Sequence, residues 1–157
     1  MKRYASWLIP VVLLLTVSVL TAAKENALAK YKVVEVKHLT TAAGVDAPAE
    51  YLNDSYDSLR EELAKQGVFG SVVEDGGTIS DPDAANARVL ECKITEYKAS
   101  HWAQPYIIVE VTLSSRGDHK VIQQFTTSKI PVNNGAIKVK ARYTGHFLAE
   151  EIKRNLK

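Results

Sequence analysis

The chain has 157 residues, of which 46% are hydrophobic and 24% charged, with 8 Gly, 5 Pro and one Cys. These figures exclude a disordered chain, a collagenous repeat and a disulfide-stapled miniprotein, and they fit one globular domain with its own core. The formal charge of +2 is an N-terminal effect. Residues 1–23 hold two basic and no acidic residues, so without them 18 basic residues face 18 acidic ones. The remainder is neutral, and a general nucleic-acid surface loses its support.

Lys2 and Arg3 precede an apolar run from Trp7 to Leu20, followed by small residues. This is the arrangement of a secretory signal peptide, and the run is short for a membrane span. Cleavage is expected after Thr21-Ala22-Ala23, giving a signal of residues 1–23, with a cut after Ala27-Leu28-Ala29 as the alternative. Only an uncleaved segment would tie the chain to a membrane. No Cys follows the apolar run, so the expectation is an exported, non-lipidated protein of the periplasm or cell envelope. A lone Cys92 permits no internal disulfide, which favours a bacterial compartment for a small exported domain.

Residues 30–157 read as a single α+β domain. Tyr31–Leu39 (YKVVEVKHL) is rich in β-branched residues and predicts a first strand. A helix is expected next, with Asp46 as cap and Pro48 in the first turn. Its stripe is Leu52, Tyr56, Leu59 and Leu63, and Gly67 ends it. Val68–Val73 predicts a second strand and Glu74–Ala87 a loop. Ala87–Ser100 predicts a third strand with Leu90, Cys92 and Ile94 on one face.

His101 to Pro105 breaks the pattern before a fourth strand, Tyr106–Ser114, in which Ile107, Val109, Val111 and Leu113 alternate with other residues. A turn at Arg116-Gly117-Asp118 leads to a fifth strand, Lys120–Ile130. The last segment predicts a helix with Ala141, Gly145, Leu148, Ile152 and Leu156 buried. The order β-α-β-β-β-β-α points to a two-layer sandwich: a mostly antiparallel sheet of about five strands, with two helices on one face.

Sequence motifs for hydrolases, nucleotide-binding loops, zinc sites and redox dithiols are absent, so no catalytic residue, cofactor or metal ligand is assigned. Cys92 shares a face with apolar residues, where a thiol behaves as a small hydrophobe. His38, His101, His119 and His146 lie on different elements without ligand spacing. Asp75, Asp81 and Asp83 form an acidic loop without the spacing of a calcium site. Charge is unevenly spread: ten acidic residues fall between Asp46 and Asp83, and nine basic ones between Arg116 and Lys157. Two solvated faces are the plain reading of that division.

The segment His101-Trp102-Ala103-Gln104-Pro105-Tyr106 places two aromatics at a tight connection, the composition of a partner anchor. Its candidate contact residues are His101, Trp102, Gln104 and Tyr106.

The stretches YKVVEVKHL, LREELAKQGVFGSVV (Leu59–Val73) and ARVLECKITEYKAS (Ala87–Ser100) resemble a family of bacterial envelope proteins of unknown function, many of them lipoproteins. The resemblance covers Tyr31 to Leu113. That family is similar in fold to the N-terminal domain of TolB and to curli-secretion lipoproteins, which implies a structural or assembly module and brings no catalytic residues. The chain departs from it in having no lipidation Cys, and in carrying His101–Tyr106 where relatives have a Gly- and Arg-containing connection. The expected function is therefore a non-enzymatic module that binds an envelope protein or assembly. A cystatin-like inhibitor or small-ligand binder is the alternative.

Overall fold

A computed structural model describes residues 31–98 and 104–156. The export segment, residues 1–23 or 1–29, lies outside the described residues, as do His101 and Trp102. No described helix is long and apolar enough to cross a membrane.

Strand β1 (Val33–Val36) is buried along its whole length. It lies inside the sheet between two parallel neighbours, where a near-continuous apolar run is the rule. The expected strand Tyr31–Leu39 is interrupted after Val36 and resumes as β2 (Thr40–Thr41). Both pieces pair with the same later strand.

Helix α1 (Ala49–Lys65) buries Tyr51, Ser55, Tyr56, Leu59 and Leu63. The expected Leu52 sits half-buried at the edge of this stripe. Asp46 does not cap the helix: Pro48 occupies the cap position and no side chain bonds there. A capping carboxylate must stand immediately before the first helical residue, and Asp46 is too far upstream. At the other end Gly67 adopts φ +61, and its N–H donates to the Ala64 carbonyl at 3.3 Å. A left-handed residue after the last turn favours glycine, as expected.

Strand β3 (Ser71–Val73) is shorter than the expected Val68–Val73 and lies parallel to β1. The segment after it contains a single helical turn, α2 (Asp81–Ala84), where a loop was expected. Strand β4 (Arg88–Lys98) then pairs with the other side of β1, again in parallel. This corrects the expected antiparallel meander in its first half. β3 and β4 run parallel on either side of β1, so the chain must cross over it, and Glu74–Ala87 is long enough for the about a dozen residues that a crossover takes.

From β4 onward the chain is antiparallel: β5 (Tyr106–Ser115) pairs with β4, and β6 (Val121–Thr126) with β5. The expected fifth strand is split into β6 and β7 (Ile130–Pro131), which pair with opposite ends of β5. Thr127 causes the split. Its N–H donates to the Val109 carbonyl at 2.9 Å, while its hydroxyl accepts from the Val109 N–H at 3.0 Å. Thr127 thus satisfies both backbone groups of Val109, and a continuing strand has no place there.

The sheet order is β3-β1-β4-β5-β6, with β2 and β7 as short additions. The result, among the described residues, is a mixed α+β fold of seven strands and three helices, in place of about five strands and two helices. Leu90, Cys92 and Ile94 on β4 stand opposite Leu113, Val111 and Val109 on β5. All six belong to the core, together with the stripes of α1 and of α3 (Ile137–Asn155). The expected Ala141, Gly145, Leu148, Ile152 and Leu156 are all buried. Burying one such aliphatic side chain contributes about 1.5–3 kcal/mol, so this shared interior is the main stabilising term.

Two contacts fix the crossing of α1 and α3. The Tyr51 hydroxyl and Thr144 Oγ1 lie 2.6 Å apart in a buried hydrogen bond. At Gly145 a Cβ would meet Ser58 Cβ at 2.5 Å and the Leu59 nitrogen at 2.7 Å, so the helices touch backbone to backbone. We expect Gly145→Ala to destabilise the protein by about 2 kcal/mol, because overpacking there outweighs alanine's better helix propensity. Chemical denaturation monitored by circular dichroism checks this; unchanged or raised stability would contradict so close an approach.

Candidate functional site

Of the expected partner-binding residues, Gln104 is exposed and Tyr106 is half-buried. The Tyr106 hydroxyl donates to Glu96 Oε1 at 2.6 Å, and Lys129 Nζ lies 4.5 Å from the ring centroid. The Glu96 carboxylate holds the phenolic proton, raising the Tyr106 pKa. Gln104 borders a solvent-open hollow of about 330 Å³, whose other walls are Pro131, Val132, Asn133, Asn134, Tyr143 and Phe147.

Tyr143 is 47% exposed and its ring centroid lies 6.0 Å from that of Phe147. Sequence reasoning missed these two. The signal was present: aromatics at i and i+4 off the buried stripe of a helix form a paired surface patch.

The other residues weighed as chemical candidates are occupied structurally. Cys92 is buried, and burial together with the charge of Glu91 pushes its thiol up to about 12. The His38 ring packs on Tyr56 with centroids 4.1 Å apart. His119 stands at φ +53 in the β5–β6 turn. His146 Nδ1 lies 3.0 Å from Glu62 Oε2, and this contact with Lys65 holds the Glu62 carboxyl below its ordinary pKa. Glu62 of the acidic α1 thus meets His146 of the basic α3. Asp83 accepts from Ser80 Oγ at 2.8 Å, whereas Asp75 faces Lys37. Among the described residues no three or more His, Cys, Asp or Glu side chains are grouped to hold a metal ion.

A charged cluster that the sequence reading did not anticipate lies on the opposite face of β1 from Val34 and Val36. Glu35 has only 4% of its side chain exposed. Its Oε1 accepts from Lys37 Nζ at 2.7 Å and from the Gly76 N–H at 3.0 Å. Its Oε2 accepts from Arg116 Nε at 2.9 Å. Lys37 also reaches Asp75 Oδ1 at 2.8 Å, and the Asp75 N–H donates to the Tyr56 hydroxyl at 2.8 Å. The cue was a single carboxylate inside the apolar run VVEV, since a charge is buried only when paired.

The cluster floors a solvent-open hollow of about 740 Å³ that also includes Glu91, Thr112 and His119. Burial alone would raise the Glu35 pKa, but the Lys37, Gly76 and Arg116 hydrogen bonds outweigh it and hold the carboxyl below the ordinary range. Asp75 is likewise lowered, chiefly by Lys37, and Lys37 is raised by Asp75 and Glu35. An acid held ionised between two cations is a poor proton donor, and its partners are already engaged. This cluster is a structural clamp.

The lowered carboxyls contribute stability above the ordinary carboxylate range, about pH 4, and that contribution is lost as pH falls through their folded values. The raised Lys37 contributes below about pH 10.4, and its part is lost as pH rises through its folded value. We expect Glu35→Ala to cost about 2 kcal/mol, less than a fully buried pair because Lys37 and Arg116 are partly solvated, and to flatten the acid limb of the stability profile. Denaturation midpoints across pH check this; an unaltered acid limb would show that Glu35 plays no such part. Native Cys92 is expected to resist thiol reagents at neutral pH and to react on unfolding, a difference that absorbance titration reads directly.

The sequence matches no protein-family profile. No curated protein matches it at a meaningful level either. Solved structures do resemble the fold. Protein XCC0632 from Xanthomonas campestris, of family DUF330, superposes with a TM-score of 0.52 at 14% identity, over 78% of this chain and 81% of that one. The PelC dodecamer from Paraburkholderia phytofirmans gives 0.52 at 16% identity, over 82% of this chain and 87% of that one. The hypothetical protein CT253 from Chlamydia trachomatis gives 0.50 at 12% identity, over 80% and 98%. At these identities the likeness is one of fold, and the fold is one found in bacterial proteins that carry no enzymatic name.

Proposed function

We propose that this chain is an exported, non-enzymatic module of the bacterial periplasm or cell envelope that binds another protein or assembly. The binding surface is the connection carrying His101, Trp102, Gln104 and Tyr106, extended by Tyr143 and Phe147. The observation that carries the reading is the hollow in which exposed Gln104 meets the exposed Tyr143 and the half-buried Phe147 beside it. Aromatic side chains bring large contact area at small cost in rotamer freedom, which is why they anchor interfaces.

The N-terminal pattern supports export, and the resemblance of Tyr31–Leu113 to bacterial envelope proteins of unknown function supports the compartment. One fold neighbour bears the name of a dodecamer, in keeping with a scaffold suited to assembly. A cystatin-like layout, one helix across an antiparallel sheet, accounts for neither the parallel set β3-β1-β4 nor α3.

The test places a photo-crosslinking residue at position 143 and irradiates living cells. We expect one discrete envelope partner to be captured, and capture to be lost in Trp102→Ala while the melting temperature stays nearly unchanged. A large fall in melting temperature for Trp102→Ala, or no crosslink at position 143, would overturn this surface.

A further inference from the structure

Among the described residues, four large apolar side chains are exposed: Val139 and Tyr143 on α3, and Val121 and Ile122 on β6. The second pair sits on an edge strand, since β6 pairs only with β5. The register shift opposite Leu113 and Ser114 leaves Ile122, 41% exposed, without a partner in β5. Lys120 precedes this edge, with Asp118 beside it, and Lys129 follows it over the Tyr106 ring, so its flanks carry a net positive charge.

The other edge of the sheet is β3, which pairs only with β1. Beside it, a hollow of about 310 Å³ has Ala64 and Val72 as its apolar wall and Asp57, Arg60 and Glu61 as its rim. Arg60 already lies 3.6 Å from Asp57 and 3.7 Å from Glu74, so this edge carries a net negative charge. One edge is therefore a basic apolar knob and the other an acidic hollow with an apolar wall.

Strand directions complete the match. β3, β1 and β4 are parallel, and two antiparallel steps from β4 through β5 bring β6 back to the same direction. A second copy in the same orientation can thus continue the sheet, β6 beside β3, without reversing either strand. A twofold pairing of β6 with β6 would instead set two basic edges against each other.

We propose that the chain assembles with further copies of itself head to tail, with the β6 edge of one copy against the β3–α1 edge of the next. Such a heterologous contact leaves a free edge on every added copy, so it builds rings or filaments and does not stop at a dimer. Unpaired strand edges supply the backbone bonds, and opposite charge selects the pairing. This surface is separate from the one around Tyr143, so either can fail alone.

The experiment uses the protein as the exporting cell delivers it, analysed by light scattering after size exclusion and by native mass spectrometry. We expect species larger than a dimer that grow with concentration and shrink with added salt. Ile122→Lys spoils the knob and Ala64→Arg fills the hollow; both replace exposed residues, and unchanged circular dichroism confirms their folding. Each variant alone is expected to be monomeric, and the two mixed to form a one-to-one dimer through the remaining good pair of edges. A wild-type protein that stays monomeric, or an Ala64→Arg variant that still assembles, would overturn the proposal, while crosslinking at position 143 reports separately on the partner surface.

Discussion

A carboxylate in the middle of an internal strand has to be neutralised where it stands. Glu35 sits on β1 with its side chain sealed from solvent, and the groups that meet it come from three places: Lys37 just past the end of β1, Gly76 in the connection after β3, and Arg116 in the turn after β5. An unpaired charge there would cost several kcal/mol, so each partner is required to be where it is. The β3–β4 crossover and the β5–β6 turn, otherwise surface segments, are thereby tied to β1. The apolar face of β1 builds the core, while its other face orders the loops.

This division of labour accounts for what the residues revealed in advance. Helices α1 and α3 were legible because their stripes repeat at helical spacing, and the end of α1 because Gly67 follows the last apolar position. Strands β4 and β5 were legible from alternation. Their antiparallel pairing followed from the short connection between them.

The parallel arrangement of β3, β1 and β4 was not legible, since alternation says that a segment is a strand and nothing about which strand lies beside it. The Glu35 cluster escaped for the same reason: its partner Arg116 lies 81 residues away in sequence. Thr127 shows a subtler limit. Threonine is a favoured strand residue, yet here its hydroxyl replaces a backbone acceptor and ends the strand. Tyr143 and Phe147 stand four residues apart beside the buried stripe of α3, and spacing alone does not distinguish a surface aromatic pair from the margin of a core.

The two candidate surfaces differ in chemistry. The hollow around Gln104 and Tyr143 is aromatic and uncharged, suited to a partner that brings its own apolar anchor. The two sheet edges are charged and complementary, suited to repetition of the same unit. Neither uses Cys92 or the buried acid, which are absorbed by packing and by the clamp.

The close crossing at Gly145 and the bond from Tyr51 to Thr144 make α3, made after every strand, an integral wall of the interior. Without that helix, Leu59 and Leu63 have no cover on that side. Local opening of that helix would uncover them to proteases, so the docking of α3 sets how well the interior is sealed.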